Sequence, residues 1–358
     1  MLKQIDQSIS FIIITYNQEE FISDAINSAL AQKVLPKEIV IVDDCSTDNT
    51  YFVATEIISK LELEIPIKLI RNNVNLGILR NFVTAVDATS GDWITGCAGD
   101  DIADENKVET LSNIIHKEDF KNIYAIGTAF SIIDVKNNFV CNQFYNFDNL
   151  PEFRSHFFHG AAFAYRRSCF TFFKKITSQI QTEDILLPYR GLLLGGIMLL
   201  NTVTTKYRIG YQNISSNYGG SYFSLIKKML KIKESDLLSY SQRIIDLESI
   251  NIDEILKSKI KNQIQLDILS AKDDIKHLQK ILDFYNKKSF QNFRILIASN
   301  QGKKSLSNFK TLLKVIIYST PFKIFSFFFK SKKINGSKSY IKYSDEKYLI
   351  LTIKDYFK

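Results

Sequence analysis

The chain has 358 residues, 45% of them hydrophobic, and a formal net charge of +8, which supplies a packed core for one large domain or two ordinary ones. Five prolines, fourteen glycines and no fixed-period repeat exclude collagen-like, low-complexity and solenoid classes, and four widely spaced cysteines without a CxxC pair exclude a zinc ribbon or a disulfide framework. The charge is divided: residues 1–220 carry net −6 and residues 221–358 net +14, so the two parts are expected to meet different partners.

The opening "MLKQIDQSIS" lacks the basic start and apolar stretch of a signal peptide, which points to a cytoplasmic protein with reduced thiols. The chain then alternates. Strands are expected at Ser8–Thr15, Glu38–Asp43, Ile67–Asn72 and Asp92–Cys97, rich in Ile and Val and apolar on both faces. Helices are expected between them, at Gln18–Gln32, Thr47–Leu61 and Ile78–Ser90, from apolar residues three and four apart. This β-α-β-α-β-α-β order predicts an α/β fold with a mostly parallel sheet covered by helices, and ligands on such sheets bind beyond the carboxyl ends of the strands. "GLLLGGIMLL" (Gly191–Leu200) is the longest uncharged apolar run, about half of the roughly 20 residues a membrane span needs. After residue 220 the pattern turns to long helices without strand signals.

Four polar clusters fall at the expected strand ends: "TYNQE" after the first, "VDDCSTDNT" after the second, "NNVNLG" after the third and "AGDD" after the fourth. The opposite loops are ordinary connectors. Asp100 and Asp101 repel unless a cation offsets their charge, and oxygen ligands suit Mg2+ or Mn2+; alternatively they cap the helix that follows. Asp43 and Asp44 either form a turn or accept hydrogen bonds from a nucleoside.

In this order and spacing the segments "SFIIITYNQEEFISDAINSALAQ", "EIVIVDDCSTDNT", "NNVNLGILRNF", "GDWITGCAGDD", "FHGAAFAYRRSCF" and "TEDILLPYRGLLLGG" resemble the inverting GT-A glycosyltransferases of family 2, the bacterial group that builds surface polysaccharides such as capsule and O-antigen. The resemblance covers about Ser8–Ser216. It implies a GT-A catalytic domain over 1–220, with a nucleotide-binding half at 1–103 and an acceptor half at 104–220, followed by a basic helical region at 221–358. By position, Thr15, Tyr16, Asn17 and Glu19 match the first nucleotide-holding loop, Asp43 and Asp44 the pair that reads base and ribose, and Asn75, Gly77, Arg80 and Asn81 the loop near the diphosphate. Asp100 matches the last carboxylate of the metal-binding DxD element, with Asp101 beside it. Asp184 matches the catalytic base, and His159, Gly160 and Glu183 lie on the acceptor side. The implied reaction moves a sugar from a nucleotide-sugar donor, most simply a UDP-sugar, to a saccharide or lipid-linked acceptor with Mn2+ or Mg2+.

Two positions depart from the family pattern. Ala98 stands where the DxD element often begins with Asp. In "KYRIGYQNIS", Gly210 replaces the His of a closing segment that often reads Tyr-Arg-x-His, which leaves Arg208 as the cationic contact to the donor. Two other classes stand beside the enzyme reading: a nucleotidyltransferase, disfavoured because "TYNQEE" lacks a Gly- and Arg/Lys-rich loop, and a degenerate GT-A scaffold without catalysis.

From Asp283 to Asp345 there is no acidic residue between, and "LLKVIIYSTPFKIFSFFFKSKK" (Leu312–Lys333) mixes aromatics with Lys314, Lys323, Lys330, Lys332 and Lys333. Two readings follow: the segment rests on the anionic inner face of a membrane, where each lysine adds about 1 kcal/mol, or Phe322, Phe325, Phe327 and Phe328 pack on the catalytic domain or a second copy of the chain. RNP-type aromatic-basic motifs and zinc spacings are missing, so nucleic acid is not an expected partner. Sedimentation with anionic liposomes separates the two readings: membrane docking predicts pelleting at low salt that weakens as salt rises, and indifference at both salts removes it.

Overall fold

The computed structural model describes residues 3–62, 64–145, 160, 162–176, 180, 183–210, 222–286, 340–343 and 346–353. The strands β1 (Ile5–Thr15), β2 (Leu35–Asp43), β3 (Ile67–Arg71) and β4 (Trp93–Ala98) run parallel in the order β3-β2-β1-β4. They are joined by the helices α1 (Ile22–Leu30), α2 (Thr50–Ser59) and α3 (Ile78–Asp87). The alternation expected from the first hundred residues is present. α1 and α2 begin three or four residues later than the apolar periodicity suggests, because the polar residues ahead of them form loops that bond to each other.

Side chains of β1 and β2 alternate between two cores, as a period of two requires. Ile9, Phe11 and Ile13 with Ile39 and Ile41 face α1, α2 and the helix α4 (Lys107–Ile115). Ile12 with Val40 and Val42 faces α3 and the later helices. Burial on both faces is the physical reason these strands read as unbroken apolar runs.

Beyond β4 the sheet becomes mixed. β8 (Phe163–Arg166) lies antiparallel between β4 and β6 (Ala125–Ile133), and β9 (Gly196–Arg208) runs parallel to β6. β5 (Ile102–Ala103) pairs with the end of β9, and β7 (Phe139–Gln143) with the end of β6. Because β8 is antiparallel to β4, its beginning lies beside the end of β4. One rim therefore collects the ends of β1, β2, β3, β4 and β9 and the start of β8. The helices α5 (Ser168–Thr171) and α6 (Leu186–Leu194) follow β8 and precede β9.

The region after residue 220 holds the expected helices, α7 (Tyr222–Glu248) and α8 (Glu254–Asn286), packed on each other. Two features were not expected there. Tyr240, Leu247, Ile260, Ile264 and Ala271 share a buried core with Leu187, Tyr189 and Leu192 of α6, so packing is continuous across residue 220. In addition β10 (Tyr340–Tyr343) and β11 (Glu346–Thr352) form a hairpin whose second strand pairs antiparallel with β9, from Tyr348 opposite Leu200 to Thr352 opposite Gly196. This covers an edge that would otherwise leave backbone groups unpaired. The strand is short, and the composition of the basic region as a whole hides it. Leu312–Lys333 lies outside the described residues, and no helix among the described residues is long and apolar enough to cross a membrane.

Gly96 shows how closely β1 and β4 approach: a Cβ there would stand 1.9 Å from the Ile12 carbonyl oxygen. Backbone cannot yield as a side chain can, so Gly96→Ala is expected to destabilise by the upper end of the roughly 1–3 kcal/mol of an overpacked core, or more. A thermal melt within a degree of wild type would contradict this packing.

Candidate active site

The loops at the rim hold each other. In the first, Asn17 takes a left-handed backbone (φ 53°), a conformation Asn tolerates better than most residues. Its N–H donates to Ser46 Oγ at 2.9 Å, and its Oδ1 accepts from the Thr47 N–H at 2.8 Å. The Gln18 N–H donates to Thr50 Oγ1 at 2.7 Å, and Glu19 Oε2 accepts from the Asn49 N–H at 2.8 Å. Asn17 and Glu19, expected to hold nucleotide, thus brace the first loop on the second. Thr15 is buried with its hydroxyl on Gln18, while Tyr16 is 42% exposed at the rim.

Asp43 and Asp44 tolerate adjacency because each is satisfied separately. Asp43 accepts from the Ser46 N–H at 3.0 Å and from the Ser46 hydroxyl, and Arg71 Nε lies 3.4 Å away. Asp44 accepts from Asn72 Nδ2 and from the N–H groups of Leu76 and Gly77, all at 2.8 Å. Asp44 is therefore the clamp of the third loop. Gly77 has φ +81°, where a side chain would be strained, and Asn75 Oδ1 accepts from its N–H at 3.1 Å. Asn81 is buried and bridges Asn72 to the Val42 carbonyl; it shapes the loop and does not face outward. Arg80, one residue before it, is exposed.

At the end of β4, Gly99 crosses so near the first loop that a Cβ would stand 2.6 Å from both Thr15 Oγ1 and Gln18 Oε1. Asp100 and Asp101 are both buried. Burial pushes the Asp100 carboxyl up to about 6, against the pull of Arg208 and a hydrogen bond from Gln18. Burial and the charge of Asp100 push Asp101 well above the usual carboxylate range. Arg208 is fully enclosed: its N–H donates to Asp101 Oδ1 at 2.9 Å, Nε to the Asp100 carbonyl at 2.8 Å, Nη2 to Asp24 at 2.8 Å and Nη1 to Asn137, with Phe21 stacked 4.6 Å away. Arg208, expected from the resemblance to contact the donor, is a buried brace that fixes the Asp100 backbone.

Asp101 likewise turns inward, toward Arg208 and the buried ammonium of Lys107, whose pKa burial lowers to about 8. An oxygen already bonded to an N–H and attracted by two cations is a poor metal ligand. Asp100, a carboxyl whose buried charge is only partly offset, fits a divalent cation that takes its remaining ligands from a diphosphate. Among the described residues no group of three His, Cys, Asp or Glu could hold a metal alone.

On the acceptor side, Glu183 and Asp184 precede α6. A Cβ on Gly160 would stand 2.7 Å from Glu183 Oε1, so the chain entering β8 lies on this carboxyl. Glu183 is buried, Asp184 half-buried. Burial, then repulsion by Asp184, raises Glu183 to about 8, and burial with both acids raises Tyr165 well above its ordinary value. Both effects favour the protonated form of Glu183. Leu79 of α3, Ile180 and Leu186 of α6 form one buried cluster, which brings the Gly77–Arg80 and Glu183–Asp184 segments side by side. His159 lies outside the described residues. Sequence reasoning passed over Gln18, Arg71 and Lys107; a lysine in "ADENKVE" carries no local sign that its ammonium is buried.

A sheet of this order, with four braced loops and an acid pair at one rim, is the frame of a GT-A domain. Residues 10–173 match the model of glycosyl transferase family 2. An uncharacterized glycosyltransferase of Haemophilus influenzae is 34% identical over 125 residues, 35% of this chain and 37% of that protein. The abequosyltransferase RfbV of Salmonella typhimurium is 33% identical over 136 residues, 36% of this chain and 39% of that protein. The chain therefore spans well under half the length of these relatives. Among solved structures, S. aureus TarS in complex with UDP-GlcNAc overlaps 74% of this chain and 73% of its own, at 18% identity and a TM-score of 0.49. The mannosyltransferase PcManGT from Pyrobaculum calidifontis, in complex with GDP-Man and Mn2+, overlaps 87% and 85%, at 13% identity and a TM-score of 0.49.

The raised Glu183 gives a pH test. The folded state holds this proton up to about 8, whereas an unfolded glutamate releases it near 4.5, so its contribution is complete below about 4.5 and is lost as pH rises through about 8. Glu183→Gln, permanently neutral, is expected to melt near wild type at pH 5 and several degrees above it at pH 9. Melting curves that stay parallel over that range would contradict a buried neutral acid here.

Proposed function

We propose that this protein is an inverting glycosyltransferase that moves a sugar from a nucleotide-activated donor, a UDP-sugar in the simplest case, to a hydroxyl of a saccharide or lipid-linked saccharide in bacterial surface-glycan synthesis. The observation that most supports it is the acid pair Glu183–Asp184, with Glu183 against Gly160 ahead of β8 and the cluster of Leu79, Ile180 and Leu186 setting the pair next to the Gly77–Arg80 segment. A base on the acceptor side and a carboxylate on the donor side are what one displacement at an anomeric carbon requires.

In this mechanism Asp184 takes the proton of the acceptor hydroxyl as its oxygen bonds to the anomeric carbon. The bond from that carbon to the diphosphate breaks, and its electron pair leaves with the nucleoside diphosphate. A single displacement inverts the anomeric configuration. A Glu183 held protonated by burial adds no second charge beside the base. Tyr16 and Arg80, both exposed at the rim, are the side chains available to base and diphosphate, while Asp43, Asp44, Asn17 and Glu19 hold the loops in the shape that receives them. Asp100 is the residue that would hold Mn2+ or Mg2+, which when bound offsets the charge on the departing diphosphate. The basic stretch Leu312–Lys333 would bring this site to an anionic membrane surface where lipid-linked acceptors reside.

The match to glycosyl transferase family 2 gives nucleotidyl transfer no support, and a buried Glu183 raised by burial and by the neighbouring Asp184 is costly for a scaffold with no reaction to serve. The test is transfer or hydrolysis across a set of nucleotide sugars, with Mn2+, with EDTA, and with Mn2+ restored. Asp184→Ala is expected to lower kcat by about 10²- to 10⁴-fold, the range for a lost general base. Asp100→Ala is expected to lower activity and blunt the response to Mn2+. Full activity in both variants would remove the site assignment.

A further inference from the structure

The helical region after residue 220 is joined to the acid pair by buried charges. α6 begins one residue after Ile185, which itself follows Asp184. Arg243 of α7 is buried, and its Nη2 donates to the Ile185 carbonyl at 3.0 Å. Its guanidinium lies 5.1 Å from the Tyr189 ring and 5.3 Å from the Tyr240 ring. One turn further along α7, Asp246 is fully buried and receives Arg190 of α6 in a two-pronged pair, Nε to Oδ2 at 2.7 Å and Nη2 to Oδ1 at 3.1 Å. Gln242 donates to the same carboxylate at 3.0 Å. Arg190 also donates to the carbonyls of Cys169 and Lys174, at 3.1 and 2.9 Å. Leu238, a further turn back along α7, packs on the cluster of Leu79, Ile180 and Leu186 that sets donor loop and acid pair side by side.

We infer that α7 is a working part of the active site, with Arg243 and Asp246 as positioning residues that fix the Glu183–Asp184 segment relative to the donor loops. Neither touches substrate. Burying a guanidinium and a carboxylate is costly unless the geometry is used, and a hydrophobic contact would suffice to attach a helix. Here the hydrogen bond falls on the carbonyl next to the base, and the ion pair clamps the helix that follows it. A base displaced by about 1 Å costs on the order of 100-fold in rate, so the tolerance for movement of this segment is small.

The inference rests on Asp184 as the base, and the experiment separates the two. Arg243→Met, Arg243→Lys and the milder Leu238→Ala are compared with wild type by thermal melt, by amide exchange, by calorimetry with UDP and Mn2+, and by turnover. In the folded variants, amides at 183–189 are expected to exchange at least about tenfold faster while those at 72–81 keep wild-type rates. The UDP Kd and the donor KM are expected to stay within about twofold, kcat is expected to fall about 10- to 100-fold in Arg243→Met, and Arg243→Lys is expected to restore most of it. If Arg243→Met does not fold, Leu238→Ala is expected to show the same pattern to a smaller degree. Unchanged kcat in folded Arg243→Met, or a loss matched by weaker UDP binding, overturns the inference. A wild type that neither binds UDP nor turns over any donor overturns the proposed function instead, while local exchange at 183–189 still decides whether α7 holds that segment.

Discussion

The guanidinium of Arg208 is the tie on which the donor side depends. It lies at the end of β9, yet it holds α1 through Asp24, the end of β4 through the Asp100 carbonyl, and the turn after β6 through Asn137, with Phe21 against its face. A buried guanidinium needs all its donors matched, because water cannot supply what the protein omits. That demand fixes four segments at once. Asp100 is thereby presented at a defined place on the rim, and Asp101 is drawn behind it.

A similar economy governs the carboxylates. The rim is crowded with acids, but most are matched: Asp43 by Ser46 and Arg71, Asp44 by the third loop, Asp101 by Arg208 and Lys107. Asp100, raised to about 6, its neighbour Asp101, and Glu183, raised to about 8, are where burial outweighs the local partners. Such imbalance is a feature of reacting sites, where a charge arrives with the ligand. The bracing acids give the loops their shape, and in the proposed reaction Asp100 and Glu183 lie on the donor and acceptor sides.

The helices after residue 220 extend this logic from the rim to the core. α7 and α8 share buried residues with α6, and β11 extends the sheet at β9. The chain thus closes on its first part from two directions, and α7 bonds to the Ile185 carbonyl, one residue after the acid pair.

Much of this was legible in the sequence. Strands buried on both faces leave unbroken Ile and Val runs, and amphipathic helices leave a 3.6-residue period, so the alternation and the polar rim at the strand ends follow from local pattern, whereas Glu183 and Asp184 were pointed to only by the family resemblance. Roles within the rim were not legible. "TYNQE" and "DDCSTDNT" have the composition of ligand-binding loops, and only the fold reveals that Asn17, Glu19 and Asp44 bond to other loops 28 to 33 positions away. The same holds for Arg208, whose partner Asp24 is 184 positions distant, for Lys107 and for β11. The sequence by itself determined which segments become strands and helices, because that depends on residues a few positions apart. Tertiary structure alone decided which polar side chains stay open to a ligand, because burial and hydrogen-bond pairing join residues that the chain order keeps far apart.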